Sequence, residues 1–184
     1  MKDNRIIIRE ATPDDATFLC KVVLMALHAD ESHPLYEIFK ELAARDDAQY
    51  SYNNAIVAEI DSKPAGALIG YDGARLHELR RPLCELLEKR MQGSLDIEEE
   101  TSAGEYYADS LAVLPEYRGC GVGHALLAEA CRRAFELGFD KVGLLVDVAY
   151  PKAEAIYASM GFMRVNSTTF LGQPMWHMQK EKEK

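Results

Sequence analysis

Between Tyr106 and Gly138 the apolar period changes from two to about 3.6 across a turn dense in glycine. "YYADSLAVLP" alternates as a strand until Pro115. "YRGCGVGHALL" follows, with Arg118 beside glycines at 119, 121 and 123. Val122, Leu126, Ala130, Ala134 and Leu137 then keep a helical spacing that ends at Gly138, the expected left-handed cap. This order brings several backbone N–H groups to the positive end of a helix. A turn without Cβ atoms lets an anion come close, and Arg118 can add a charge-assisted contact. A plain strand-to-helix link is the simpler reading of any one glycine pair. Three alternate glycines after an arginine favour the anion cradle. Position 124 is histidine, so the dinucleotide pattern G-x-G-x-x-G fails, and no G-K-[ST] is present for a P-loop.

The flanking chain supplies more strands and helices. "RIIIREA" at 5–11 reads as a strand, followed by a helix over "TPDDATFLCKVVLMALHAD" with Thr12 as N-cap and Pro13 at its first position. A shorter helix fits "HPLYEIFKELAARDD". Two apolar runs flanking Asp61-Ser62-Lys63-Pro64 read as an antiparallel hairpin. Residues 75–92 look helical with Pro82 as a kink or boundary, and an acidic stretch without pattern begins at Gly93. "KVGLLVDV" is the near-continuous apolar run of a buried parallel strand. A short helix from Pro151 to Gly161 and two last strands, "FMRVNST" and "PMWHMQK", precede a solvated "EKEK" tail.

The chain of 184 residues suits one domain, 1–184, with one sizeable core. Its formal charge of −9, from 21 basic and 30 acidic residues, opposes non-specific attraction to nucleic acid or anionic lipid. No uncharged stretch approaches the roughly 18 residues of a membrane span, and the amino terminus lacks a signal-like apolar region, so a cytoplasmic protein is expected. Cys20, Cys84, Cys120 and Cys131 have no C-x-x-C spacing and the five histidines no H-x-x-x-H pair. Reduced structural thiols and no metal follow as expectations.

"LAVLPEYRGCGVGHALL", followed after one strand by "AIYASMGF", resembles the coenzyme A core of the GNAT N-acetyltransferase superfamily. The close match covers about residues 105–163. It implies an α/β (α+β) fold with a mixed, mostly antiparallel central sheet, helices on both faces, and a parallel pair of strands, 106–113 and 141–148, that splay apart around the thioester. By that resemblance the main chain of Leu111, Ala112 and Val113 would pair with the pantetheine arm. The backbone of Arg118, Gly119, Cys120, Gly121, Val122, Gly123 and His124 would hold the pyrophosphate. Acetyl-CoA would be the co-substrate, and Cys120 a spacer.

The chemistry implied is direct attack of a neutral amine, of a small molecule or protein, on the acetyl thioester. A free N–H of Leu111 or Val113 would stabilise the oxyanion. Tyr157 matches the family's tyrosine, in a pattern read as Ala153, Ile156, Tyr157, Gly161 and Phe162. It would be the general acid, since a phenol with pKa about 10 keeps its proton at neutral pH. Without the upstream motif it would read as a packed helix tyrosine. Asp109 is the first candidate base and Glu105 the reserve, because alternation places Glu105, Tyr107, Asp109 and Leu111 on one face. A solvated or ion-paired carboxylate is an equal reading of Asp109. Tyr150 stands where the family commonly has asparagine, which leaves Lys152 as the alternative phosphate contact. An acyl-CoA-binding module without transfer is the competing function, and Tyr157 favours the enzyme. A homodimer is left open. The segment at about 74–104 reads as an insertion whose Asp96, Glu98, Glu99 and Glu100 could cover the acceptor entrance and draw a cationic amine, or form only a solvated acidic loop.

Overall fold

A computed structural model describes residues 6–91 and 97–183. Arg5, the start of the acidic stretch at Gly93, and Asp96 lie outside the described residues. Strand β1 (Ile7–Glu10) leads through a 3-10 turn at Pro13–Asp15 into α1 (Ala16–Ala26), then α2 (Tyr36–Ala43). Asp15 anchors this entry: it accepts from Thr12 N–H at 2.8 Å and from Arg9 at 2.7 Å. Strands β2 (Ala55–Ile60) and β3 (Lys63–Asp72) turn at Asp61 and Ser62, whose φ of 52° and 60° suit a two-residue hairpin on twisted strands. Then come α3 (Leu76–Met91), β4 (Tyr106–Val113), α4 (Val122–Glu136), β5 (Lys141–Asp147), α5 (Pro151–Ser159), β6 (Met163–Phe170) and β7 (Gln173–Glu181).

Among the described residues seven strands form one sheet in the order β1-β2-β3-β4-β5-β7-β6, and of its neighbouring pairs only β4 and β5 run parallel. Leu19, Val23, Phe39 and Leu42 cover one face over Val57, Ala67 and Ile69; Leu126, Leu127 and Ala130 cover the other over Ala58, Leu68 and Val142. Burying such side chains contributes about 1.5–3 kcal/mol each, which holds the helices to the sheet. Pro82 lies inside α3. Leu137, grouped by spacing with the buried face of α4, is 73% exposed because it is the C-cap residue, beyond the last turn lying on the sheet. No described helix is long and apolar enough to cross a membrane.

Two irregularities in β4 position the site. Its register against β3 pairs Ala108 with Gly70 and Ser110 with Ile69, which leaves Asp109 as the extra residue of a bulge. A bulge reverses the alternation beyond it. Asp109 and Ser110 consequently open into the same cavity, and Leu111 packs with the α4 core instead of sharing a face with Tyr107. The expected single face of Glu105, Tyr107, Asp109 and Leu111 therefore breaks after Asp109.

The second irregularity is the parting of β4 from β5, which pair only at Tyr106 with Val142 and Tyr107 with Gly143. Glu105 sits at the closed end, 2% exposed. It accepts from Thr101 Oγ1 at 2.6 Å, and from β7 its carboxylate contacts His177 Nε2 at 2.9 Å and Gln179 Nε2 at 2.7 Å. The carboxylate reaches β7 by crossing β5 above Gly143, where an added Cβ would stand 1.9 Å from Glu105 Oε2. Burial raises the carboxyl's pKa, but the bonds from His177, Thr101 and Gln179 outweigh it and hold it below the usual value. With its oxygens so occupied, and outside both cavities described below, Glu105 is a strand clamp and not the reserve base that alternation suggested. Gly143→Ala is expected to lower stability by about 1–3 kcal/mol, the usual range for overpacking. Chemical denaturation would measure this, and Glu105→Ala should abolish much of the added loss in the double variant.

Candidate functional site

The glycine turn lies along a cavity of ≈ 450 Å³ whose lining includes Leu111, Ala112, Val113, Arg118, Gly119, Gly121, Val122, Gly123, His124 and Tyr157. Gly121 caps α4 with φ 83°, a left-handed conformation that side chains resist. Gly123 has neither a positive φ nor a crowded Cβ position, since the nearest atom would be Val113 Cγ2 at 3.5 Å. Nothing in the protein itself demands glycine there; the space faces the cavity. First-turn N–H groups of α4 have no intrahelical acceptors and form the positive end of the helix. Arg118 is exposed beside them, its Nε 3.4 Å from Val113 O. Cys120 and Lys152 are both exposed and line neither this cavity nor the next.

Strand geometry also leaves main-chain groups free on this side. Leu114 N–H donates to Ala65 O on the β3 side. Alternation turns the N–H groups of Leu111 and Val113 the other way, into the gap beyond the last β4–β5 pair.

A second cavity of ≈ 480 Å³ opens on the other side of that gap, between the end of α1, strands β4 and β5, α5 and the β6–β7 turn. Its lining has three carboxylates, Glu100, Asp109 and Asp147, and no lysine or arginine among the described residues. Asp109, half-buried on the bulge, accepts from Tyr71 OH, Gln49 Nε2 and Ser110 Oγ, each at 2.7 Å. Burial pushes its pKa up, and those three donors pull it part of the way back. Glu100 pairs with Arg80 at 2.6 Å, the two side chains only 4% and 7% exposed. Burial, then the Asp109 charge, raises Glu100 against the opposing pull of Arg80. Burial also keeps Tyr71 protonated, so its hydroxyl remains a donor.

The acidic run at 98–100 does not act as a block. Glu98 accepts from Leu171 N–H at the β6–β7 turn at 3.2 Å, Glu99 meets His77 at 3.0 Å on the surface, and Glu100 turns inward. Gln49, Tyr71, Arg80 and Tyr107, whose hydroxyl lies 3.4 Å from Glu100, complete a network that sequence reasoning did not find. Its members are up to 60 residues apart in the chain, and no motif joins them.

Leu111, Ala153 and Tyr157 line both cavities, so the two spaces meet at these residues. Tyr157 packs edge-on against Phe162 at 6.3 Å between ring centres, and burial raises its pKa. Tyr150, at the N-cap of α5, stacks on His28 at 4.5 Å and lines the larger cavity. No group of three or more His, Cys, Asp and Glu side chains among the described residues is arranged to hold a metal ion.

Comparison with known proteins places this architecture. The acetyltransferase (GNAT) family matches residues 24–162. A crystal structure of an acetyltransferase is 32% identical over 96% of this chain and 100% of that one, with a TM-score of 0.80. An N-acetyltransferase from Staphylococcus aureus Mu50 is 22% identical over 94% and 99% of the two chains, with a TM-score of 0.82. A chain of the NatC complex bound to Gag peptide and CoA shares the fold at 15% identity, over 97% and 99%, with a TM-score of 0.61. No curated protein sequence matches significantly. With the family spanning most of its length and its sheet opening between β4 and β5, the chain belongs to the GNAT acetyltransferase family and is an acyltransferase.

Proposed function

We propose that the protein transfers an acetyl group from acetyl-CoA to a primary amine by direct attack, with the acceptor in the larger cavity and coenzyme A along the glycine turn. The observation that carries this reading is the meeting of the two cavities at Tyr157, where β4 and β5 have parted. The open space at Gly123 and the free N–H groups of α4 suit a pyrophosphate, with Arg118 close enough to add charge. Leu111 and Val113 would offer N–H groups to the pantetheine arm and to the developing oxyanion. Fixed donors of this kind are worth roughly 3–4 kcal/mol. Asp109 would accept the proton of the attacking nitrogen, and Tyr157 would protonate the departing thiolate. The exposure of Cys120 and Lys152 outside the cavities gives neither a contact in this scheme.

The same geometry yields two expectations. Tyr157→Phe should retain the rise in melting temperature on adding coenzyme A, which mass action requires of a native-state ligand, while turnover falls by about 10²–10⁴-fold. Unchanged turnover with chemistry rate-limiting would remove Tyr157 from the mechanism.

Because Glu100, Asp109 and Asp147 line the acceptor cavity with only Arg80 behind Glu100 to offset them, cationic amines should be preferred. In an acetyl-CoA turnover screen, polyamines, aminoglycosides and lysine-bearing peptides should exceed anionic amines by about tenfold or more in kcat/KM, equivalent to ~1.4 kcal/mol. A preference for an anionic acceptor would overturn the electrostatic reading and leave the coenzyme A assignment standing.

A further inference from the structure

Glu100 and Asp109 belong to different segments, yet one nitrogen serves both. Gln49 Nε2 lies 2.7 Å from Glu100 Oε1 and 2.7 Å from Asp109 Oδ2, with Tyr71 OH at 3.0 Å. An amide nitrogen has two hydrogens for these three oxygens. Gln49 is 1% exposed, and its Oε1 is buried without a partner among the described residues. An amide keeps the same outline when turned over, and in that orientation Oε1 accepts the O–H of a protonated carboxyl. The two ends of Gln49 therefore match two charge states of the carboxyl pair.

The charges around the pair point the same way. Arg80, from α3, is the pair's one bonded cation among the described residues; it bonds Glu100 and not Asp109, its other donor group meeting the carbonyls of Ile97 and Glu98. Tyr50, Tyr71 from β3 and Tyr107 from β4 are phenols that burial keeps neutral, while Glu105 lies behind Tyr107 and Asp147 faces the pair's cavity from the end of β5. With both carboxyls ionised, the cluster would carry one negative charge more than Arg80 offsets, in a wall that is buried at Glu100 and half-buried at Asp109. With one proton retained, the pair's single negative charge balances Arg80.

We infer that Gln49 and Glu100 are positioning residues for Asp109: the two carboxyls, bridged by the Gln49 amide, hold one proton between them, and Asp109 takes part in catalysis as half of a singly charged pair. This rests on the reading of Asp109 as the proton acceptor. In the transfer, the N–H bond of the attacking amine breaks as an O–H bond forms on Asp109. The pair passes from one proton to two and returns the added one to solvent. Coupling to Glu100 brings the proton affinity of Asp109 nearer to the working pH than an isolated aspartate would have, which is where a general base is most effective.

The test is a carboxyl-carbon NMR titration of the full-length protein carrying ¹³C-labelled aspartate and glutamate, with Asp109→Asn used for assignment. In the wild type, Asp109 and Glu100 should show shared two-step titrations, with one step above about pH 6. Glu100→Gln should remove the upper step and leave Asp109 as a single carboxyl whose midpoint is lower by about one unit or more, tenfold in proton affinity. If loss of its buried partner leaves Arg80 unable to support folding, Gln49→Met decides, because it keeps the Arg80–Glu100 pair. Deleting the amide donor should move the upper step upward, opposite to the effect of Glu100→Gln. Independent titration of both carboxyls below about pH 5 would overturn the inference, as would an upper step that Gln49→Met leaves in place or lowers. Turnover separates the underlying reading: full activity of Asp109→Asn on the best amine of the screen would remove Asp109 from proton transfer, whatever the titration shows.

Discussion

Strands β4 and β5 pair for two residues and then separate, and the carboxylate of Glu105 sits where they are still joined. It links β4 to β7 across β5 because Gly143 has no side chain to obstruct it. A parallel pair that short is weakly held by its own ladder, so a buried, multiply bonded carboxylate at its closed end resists separation beyond the functional gap. Every feature of the site lies along that gap. The free N–H groups of Leu111 and Val113, the two cavities, and Tyr157 between them depend on the strands being joined at one end and open at the other.

The bulge at Asp109 makes a different contribution. By adding one residue to β4 it places Asp109 and Ser110 together on the cavity side and moves Leu111 to the α4 side. A polar pair then faces one space while the next residue borders both. The carboxylate wall is unusual in how its charges are balanced. Glu100 has a buried arginine, Asp109 has three neutral donors, and a single glutamine touches both. Buried charges so connected carry a desolvation cost that ordinary packing does not.

Much of the fold was legible in the chain itself, because its signals are local. The change of period at Pro115, the glycine caps at Gly121, Gly138 and Gly161, and the apolar run at 141–147 each constrain a few adjacent residues through backbone torsions and side-chain spacing. The glycine turn and Tyr157 were visible for the same reason, since a motif of consecutive residues keeps its geometry wherever it is placed. That local information located one cavity and the tyrosine at its end.

The other cavity's chemistry was decided by packing. Alternation is a rule for an unbroken strand, and it put Leu111 with Asp109 and kept Glu105 as a base; one bulged residue and one glycine in β5 undid both. Glu98, Glu99 and Glu100 looked alike in sequence, yet they bond respectively to a hairpin tip, a surface histidine and a buried arginine. Gln49 carries no motif at all. Its role arises because folding brings the segment after α2, strand β3, helix α3 and strand β4 to one point, where a polar group must find partners once water is gone. The sequence by itself determined the elements, their order and the backbone cradle at the glycines, since these follow from torsions and periodicity within a few residues. Only the tertiary structure decided which carboxylates share a donor and which face a cavity, since desolvation and hydrogen bonding between distant segments exist only after the chain has packed.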